Sequence, residues 1–474
     1  MDNLAIATPE IFMLVAACGV LVASLFVQED NRTTIYWAAQ ATLVVTLLLS
    51  MSQIGDEAIT GFKGAYGIDG MSTVLKSWIL LVAIGGFLYS RDYINERDIA
   101  RGEYYVLGLF GVSGMMIMVS ATNMLTVYLG LELLALSLYA MVALNRNNSE
   151  ASEAAMKYFV LGALASGMLL YGMSMIYGAT GSLSLASIHD ILEGKTANST
   201  GARFGLTFVI VGIAFKLGAV PFHMWVPDIY DGAPTSVAMF IGTAPKIAAF
   251  AMIIRLLVDG METLSVDWQR MLAILAALSL IVGNLLAIAQ TNIKRMLAYS
   301  TISHVGFLLL GIVAANPEGY SASMFYAITY ALTTLAVFGV LLALSKGGFE
   351  AVNLIDLSGL AKRNMLLAAV MMVSMISLAG VPPLVGFHAK LLVLKAVVGA
   401  DFIWLAIIGV VMSVVGAFYY LRIIKLMFFD EPIIPVSTHA APDVSAGLAI
   451  NGAAVFVFGL FPGLIMTACV AAFA

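Results

Sequence analysis

Long apolar runs and short polar breaks alternate along the whole chain. A helix needs about 20 apolar residues to cross about 30 Å of hydrocarbon. Runs of that kind fall at 9–28, 34–54, 71–90, 104–122, 123–144, 153–179, 203–222, 236–258, 269–290, 294–315, 320–345, 365–398, 402–428 and 447–470, giving fourteen candidate spans. The fourth and fifth are joined only by Ala121-Thr122-Asn123, and the twelfth is interrupted by Gly380-Val381-Pro382-Pro383. The pattern predicts an all-α polytopic membrane protein. One stretch, IAFKLGAVPFHMWVPDIYDGAPTSVAMFIGTAPKIAAF (213–250), is apolar overall yet carries Lys216 and Lys246, with Pro221, Pro227 and Pro234 between them. A lysine at mid-bilayer costs about 2.5–3.5 kcal/mol on insertion scales, and a proline inside a span frees carbonyls that need another partner. Features this costly, kept together, point to a hydrated path lined by protein.

Composition agrees. The 474 residues are 61% hydrophobic and 11% charged, with a mean hydropathy of +0.98, against about 45–50% and about 25% for soluble domains. The net charge of −5 carries no basic patch that would suggest nucleic acid. Cys18 and Cys469 lie near opposite ends without a CxxC or Cys/His neighbour, so no iron–sulfur or zinc site is expected. The start, MDNLAIATPEIF, lacks a positive n-region, so the first run reads as a span and not as a cleaved signal.

Charge sets the expected orientation. With fourteen spans, odd-numbered loops hold 12 Lys/Arg residues, even-numbered loops hold 5, and the rest of the 23 fall within spans. The positive-inside rule then puts the odd loops in the cytoplasm and both termini on the outer face. Lys76 and Lys395, near span ends, are expected at the interface.

The order of spans shows symmetry. Spans 4–8 and 9–13 are two sets of five, each with its fourth member broken by proline, at Val220-Pro221-Phe222 and Pro382-Pro383. An odd number of spans per set inverts the second set, and paired broken helices are the sequence pointer to a transport site. The expected organisation is one domain over 1–474: three helices in 1–103, a five-helix repeat in 104–258, its inverted copy in 269–428 and a last helix at 447–470.

Six ionisable residues are candidates for that path. Glu132 lies nine residues after Asn123, about 14 Å deep at 1.5 Å per residue. Lys216, Lys246 and Lys390 are too deep for a four-carbon stem to reach the interface. A carboxylate that approaches or leaves a desolvated lysine switches it between holding and releasing a proton, which suggests Glu132 as partner to Lys216. Lys157 is shallow, and an i,i+4 pair with Glu153 accounts for it equally well. His304 could bond a backbone carbonyl or relay protons near neutral pH. His223 and His388 flank the two breaks, and Tyr299, Ser300, Thr301 and Ser303 add hydroxyls around span 10. If the helices pack compactly, the six could form a polar line across the membrane plane.

At these residues the chain resembles a known family. PFHMWVPDIYDGAPTSVAMFIGTAPK (221–246) is similar to the strongest motif of the antiporter-like subunits of respiratory complex I and of multisubunit cation/proton antiporters. MKYFVLGALASG (156–167), NIKRMLAYSTISHVGF (292–307) and GFHAKLLVLKA (386–396) match further family blocks. Lys390 in the broken twelfth span, where M-type members usually have glutamate, and an end at Ala474 without the lateral helix of L-type members set it apart from both. The resemblance implies a proton-translocating membrane-arm subunit of an NADH:quinone oxidoreductase. Glu132 and Lys216 would be its coupled pair, Lys157 the modulating lysine, Lys246 and His304 the central relay and Lys390 the terminal lysine. It implies no cofactor or metal on this chain, with FMN, iron–sulfur clusters and quinone in partner subunits. The expected partners are M-type and small K-, J- and A-type membrane subunits in a bacterial inner membrane. Two rivals stand beside it. One is a cation/proton antiporter subunit unconnected to electron transfer. The other is a non-conducting spacer, which would have no reason to hold three mid-depth lysines.

Overall fold

A computed structural model describes residues 2–27, 33–54, 58–97, 99, 102–194, 200–345, 348–432 and 440–473. Arg32, Arg101, Lys195 and Lys346, used in the charge count above, lie outside them.

The described residues are almost entirely helical. The helices are α1 (Asp2–Ile6), α2 (Thr8–Ser24), α3 (Thr33–Met51), α4 (Gly70–Glu96), α5 (Glu103–Val119), α6 (Met124–Val142), α7 (Ser149–Thr180), α8 (Leu185–Gly194), α9 (Thr200–Leu217), α10 (Trp225–Gly232), α11 (Thr235–Gly242), α12 (Ala244–Ile253), α13 (Ser265–Ile288), α14 (Ile293–Val313), α15 (Pro317–Leu344), α16 (Leu360–Arg363), α17 (Met365–Ala379), α18 (Val385–Gly399), α19 (Ile403–Phe429), α20 (Pro442–Leu460) and α21 (Gly463–Ala471). Eleven are long and apolar enough to cross a membrane, taking α11 and α12 through Asp259 as one, and α2, α5 and α17 are shorter apolar helices. Only a helix satisfies its backbone groups internally in hydrocarbon, which is why apolar runs translate so directly into this fold. The protein is a multi-pass membrane protein.

Polar residues mark the helix starts. Asn123, Asn148, Asn292, Asn316 and Asn364 cap α6, α7, α14, α15 and α17, each accepting a backbone N–H of the first turn. Asp69 and Ser72 form a capping box at α4. Each cap satisfies an orphan donor, worth about 1 kcal/mol. A short hairpin, β1 (Ile59–Gly61) with β2 (Tyr66–Ile68), pairs antiparallel between α3 and α4. Bridges Tyr66 to Ala121 and Asn123 to Ser184 tie it to the α5–α6 turn and the α7–α8 link at one end of the bundle.

Burial separates the middle from the rim. Residues 235–257 are wholly buried, whereas Ile403–Phe429 and Pro442–Leu460 are only 33% buried over their most apolar stretches and expose apolar side chains outward. The half-helices α10 and α18, which follow the two breaks, both pack on the buried α14.

Three expectations are corrected. Span 7 does not end at residue 222: after the break at Gly218–Met224 the chain turns back into helix as α10, through Gly232. Pro227 sits in the first turn of that helix, where a missing N–H costs nothing. Lys294 and Arg255, counted as loop charges, are 3% and 4% exposed. Arg255 lies in a π-helical turn (Ile254–Asp259), pairs with Asp69 at 2.7 Å and Asp259 at 2.9 Å, and donates to the Val119 carbonyl. Lys76 is not interfacial. It is fully buried, 2.8 Å from the Glu10 carboxylate on α2 and 2.9 Å from the Tyr66 hydroxyl. A charge buried this completely persists only when paired.

Removing one partner of such a pair strands the other. Lys76→Met should therefore destabilise the detergent-purified protein by about 3–5 kcal/mol, while the Glu10→Gln/Lys76→Met double variant recovers most of the loss. Thermal unfolding checks this, and equal losses in the single and double variants would refute it.

Candidate functional site

Both breaks are built alike. Each begins with a glycine in the left-handed region, Gly218 (φ 81) and Gly380 (φ 82), and each holds a cis X-Pro bond, Val220-Pro221 and Pro382-Pro383. Where α9 and α17 stop at these glycines, their last carbonyls lack intrahelical partners and the negative end of the helix dipole is exposed. A lysine answers both needs in both places. Lys246 on α12 donates from Nζ to the Leu217 carbonyl at 2.8 Å. Lys390 on α18 donates to the Ala379 carbonyl at 3.0 Å and to the Ser413 hydroxyl at 3.0 Å. The paired lysines of the breaks are thus Lys246 and Lys390. Lys216 lies in α9 just before its break.

Lys216 and Lys246 line one cavity of about 30 Å³ with Tyr158, Trp225, Pro245 and Met118. Trp225 stacks on Tyr158 with ring centroids 4.9 Å apart and donates Nε1–H to the Phe215 carbonyl. Its face lies 5.6 Å from Lys246 Nζ, a cation–π contact. Lys216 Nζ lies 5.8 Å from the centre of the Tyr139 ring. Glu132 on α6 acts electrostatically on Lys216, and no direct ion pair joins them among the described residues. Glu132 Oε1 is buried without a hydrogen-bond partner.

The second cluster surrounds His304 on α14. Nδ1 lies 2.6 Å from the Tyr326 hydroxyl and Nε2 lies 3.0 Å from the Tyr420 hydroxyl. A narrow cavity of about 10 Å³, room for about one water, is lined by His304, Tyr326, Ser377 and Ala389, the residue before Lys390. Phe307 bridges the same gap: Lys390 Nζ is 4.8 Å from its ring centre, and the His304 ring is 6.5 Å from it. Between the two clusters stands a ladder of hydroxyls. Tyr230 packs against Gly242 on α11, Thr301 lies 3.4 Å from the Tyr230 hydroxyl, and the Tyr330 hydroxyl donates to Thr301 at 2.8 Å. The Tyr330 ring lies 5.0 Å from that of His304.

Lys157 is placed apart from this line. It is half exposed at one mouth of the bundle, 2.9 Å from Glu153, as the i,i+4 spacing allowed, and 2.9 Å from Asp228 on α10. Arg295 pairs with the same Asp228 at 3.1 Å and with Asp231 at 3.4 Å, and these groups line an open cleft of about 170 Å³. Nearby, Glu350 accepts hydrogen bonds from Tyr93 and Thr235 and faces Lys294 at 3.8 Å. Burial pulls the Glu350 carboxyl upward, but Lys294 and the two hydroxyls outweigh it and hold it below its ordinary value. Of the six candidates, the structure joins Lys216 with Lys246 in one cavity, sets Glu132 within electrostatic reach, and joins His304 to the Lys390 end. Tyr139, Tyr230, Tyr326, Tyr330 and Tyr420 were not singled out in the sequence. Their only signal there is a hydroxyl inside an apolar run.

Comparison with known proteins follows the same line. The sequence profile of a family described as "NADH:quinone oxidoreductase/Mrp antiporter, TM" matches residues 121–416. NADH-quinone oxidoreductase subunit N of Thioalkalivibrio sulfidiphilus is 57% identical over 97% of this chain and 96% of its own. The subunit N of Nitrosomonas europaea is 52% identical over 97% and 96%. Among solved structures, a chain of respiratory complex I from Thermus thermophilus with bound aureothin superposes with a TM-score of 0.85 at 32% identity, covering 98% of this chain and 99% of that one. A chain of the Mrp complex from Dietzia sp. shares the fold, with a TM-score of 0.86 at 22% identity. This chain belongs to the NADH:quinone oxidoreductase/Mrp antiporter family of transmembrane subunits.

Proposed function

We propose that the chain is a proton-translocating membrane-arm subunit of a bacterial NADH:quinone oxidoreductase; relatives matched over nearly its whole length are named NADH-quinone oxidoreductase subunit N. One observation carries the mechanism: the two buried lysines that sit on the freed carbonyls of two matching helix breaks, each with a cavity beside it. A carbonyl holds a protonated lysine without neutralising it, so the proton can leave when the local field changes. Reduction of quinone elsewhere in the assembly alters that field and closes or opens the Glu132–Lys216 pair. The proton on Lys216 then passes through the shared cavity to Lys246, by water past the Tyr230 and Thr301 hydroxyls to the Ser300 side of His304, and on to Lys390. Lys157 sets the charge at the mouth through Asp228. Moving one charge against 100 mV costs about 2.3 kcal/mol, so coupling to redox chemistry is required.

The same reading includes fourteen crossings, the eleven long helices plus α2, α5 and α17, and two inverted repeats of five over 104–258 and 269–428. It places odd-numbered loops in the cytoplasm and both termini outside the bacterial inner membrane. FMN, iron–sulfur clusters and quinone are carried by partner subunits, among them M-type and small K-, J- and A-type chains. The cation/proton antiporter reading has the shared fold of the Mrp chain in its favour, but the identity of 48–57% over whole chains lies with the oxidoreductase subunits.

The test is NADH-driven proton uptake in membrane vesicles carrying Lys216→Ala, with assembly and quinone reduction followed in parallel. Pumping and quinone reduction should fall together in an assembled complex. Normal pumping would refute the mechanism, and turnover that requires sodium but not NADH would select the antiporter.

A further inference from the structure

We infer that Tyr420 and Tyr326 carry the proton into and out of His304, forming with Ser300 a wire of hydroxyls and imidazole that ends at the cavity beside Lys390. The inference deepens the proton-translocation reading and rests on it.

The argument is a donor and acceptor count. His304 is 6% exposed, and each ring nitrogen faces one tyrosine hydroxyl, Tyr326 at 2.6 Å and Tyr420 at 3.0 Å. The Tyr420 hydroxyl lies 2.5 Å from Ser300 Oγ. A neutral imidazole donates through one nitrogen and accepts through the other. Two arrangements satisfy every contact. In the first, Tyr326 donates to Nδ1, Nε2–H donates to Tyr420, and Tyr420 donates to Ser300. In the second, Ser300 donates to Tyr420, Tyr420 donates to Nε2, and Nδ1–H donates to Tyr326, whose own hydrogen turns to the cavity. The two arrangements are the same wire before and after one proton has passed.

Each step balances. A protonated water at the Ser300 end gives a proton to Ser300 Oγ as the original Ser300 O–H breaks towards Tyr420 oxygen. The original Tyr420 O–H breaks towards Nε2, and the Nδ1–H breaks towards Tyr326 oxygen. The original Tyr326 O–H breaks towards a water in the cavity beside Lys390. Every group gains one proton and loses one, no electrons move, and the imidazole ends as its other tautomer. The heavy-atom separations lie at or just under the range over which positioned groups exchange protons, about 2.6–3.2 Å. The cavity at the Tyr326 end is lined by Thr329, Ser377 and Ala389, so its far wall adjoins Lys390. The other tyrosines near His304 point their hydroxyls elsewhere: Tyr330 to Thr301 and Tyr419 to Asn284. Tyr326 also stacks on Phe307 with centroids 6.1 Å apart, so phenylalanine at 326 keeps the packing and removes only the hydroxyl.

The experiment uses membranes carrying the complete NADH:quinone oxidoreductase, with the rate of NADH-driven proton translocation as the readout and assembly checked for each variant. Tyr326→Phe and Tyr420→Phe should each lower that rate by at least about tenfold, against the roughly 10²–10⁴-fold that positioned proton-transfer groups contribute. Adding Tyr326→Phe to His304→Gln should cause no loss beyond that of His304→Gln, because the wire is already cut. A purely structural tyrosine would add its own loss, and that result overturns the inference. So does near-normal pumping in both phenylalanine variants when His304→Gln pumps poorly, which leaves the pump reading standing. Normal pumping in His304→Gln and Lys216→Ala alike overturns both.

Discussion

Methionine in place of Lys246 should reduce NADH-driven proton translocation to background while the protein still assembles. Methionine matches the length and most of the volume of the lysine stem, so the packing of the wholly buried α11–α12 segment is kept. What is lost is the ammonium that holds the Leu217 carbonyl at 2.8 Å and lies over Trp225. Leaving that carbonyl unsatisfied costs about 1–3 kcal/mol, spread over a large helical bundle, and water in the adjoining cavity offsets part of it. The functional cost is larger, because Lys246 is the charged group that follows Lys216 in their shared cavity. Without it a proton leaving Lys216 has no base to reach. Pumping in vesicles and assembly by native electrophoresis check the two halves of this expectation, and pumping above a tenth of the normal rate would remove Lys246 from the path.

Alanine at Gly380 should be the more damaging of two matched glycine substitutions. Gly218 and Gly380 hold nearly the same left-handed φ, 81 and 82, so alanine strains the backbone by about 1–2 kcal/mol at either. Their surroundings differ. A Cβ at Gly218 would stand 2.6 Å from Val226 Cγ2, an apolar neighbour. A Cβ at Gly380 would stand 2.7 Å from Lys390 Cδ and 3.3 Å from Lys390 Nζ, so the lysine must leave the Ala379 carbonyl and Ser413. Both variants should lose thermal stability to a similar degree. Only Gly380→Ala should also lose most proton pumping at a temperature where both are folded. Equal pumping in the two would mean that the seat of Lys390 does not matter.

Much of this protein is legible in its order of residues. Apolar runs translate into helices because hydrocarbon leaves no other way to satisfy the backbone, and Gly380-Val381-Pro382-Pro383 marks a break because proline neither donates to a helix nor tolerates one before it. Lys216, Lys246, Lys390 and Glu132 stand out because a charge at that depth is too costly to be incidental. The family motif at 221–246 carries the identity of the group.

Packing supplies the rest. Buried helices here are apolar all round, so no stripe of hydrophobic positions tells which face meets which neighbour. That Lys76 finds Glu10, that Lys157 finds Asp228, and that Tyr326 and Tyr420 close on His304 depend on helices far apart in the chain. The residues after Pro221 read as a loop because proline and polar groups crowd them, yet contact with α7 and α14 makes them the helix α10. Local composition is enough to dictate that charges are held within a membrane helix bundle. Which carbonyls and hydroxyls hold them follows from the fold, because those partners come from chain segments that meet only once the helices pack.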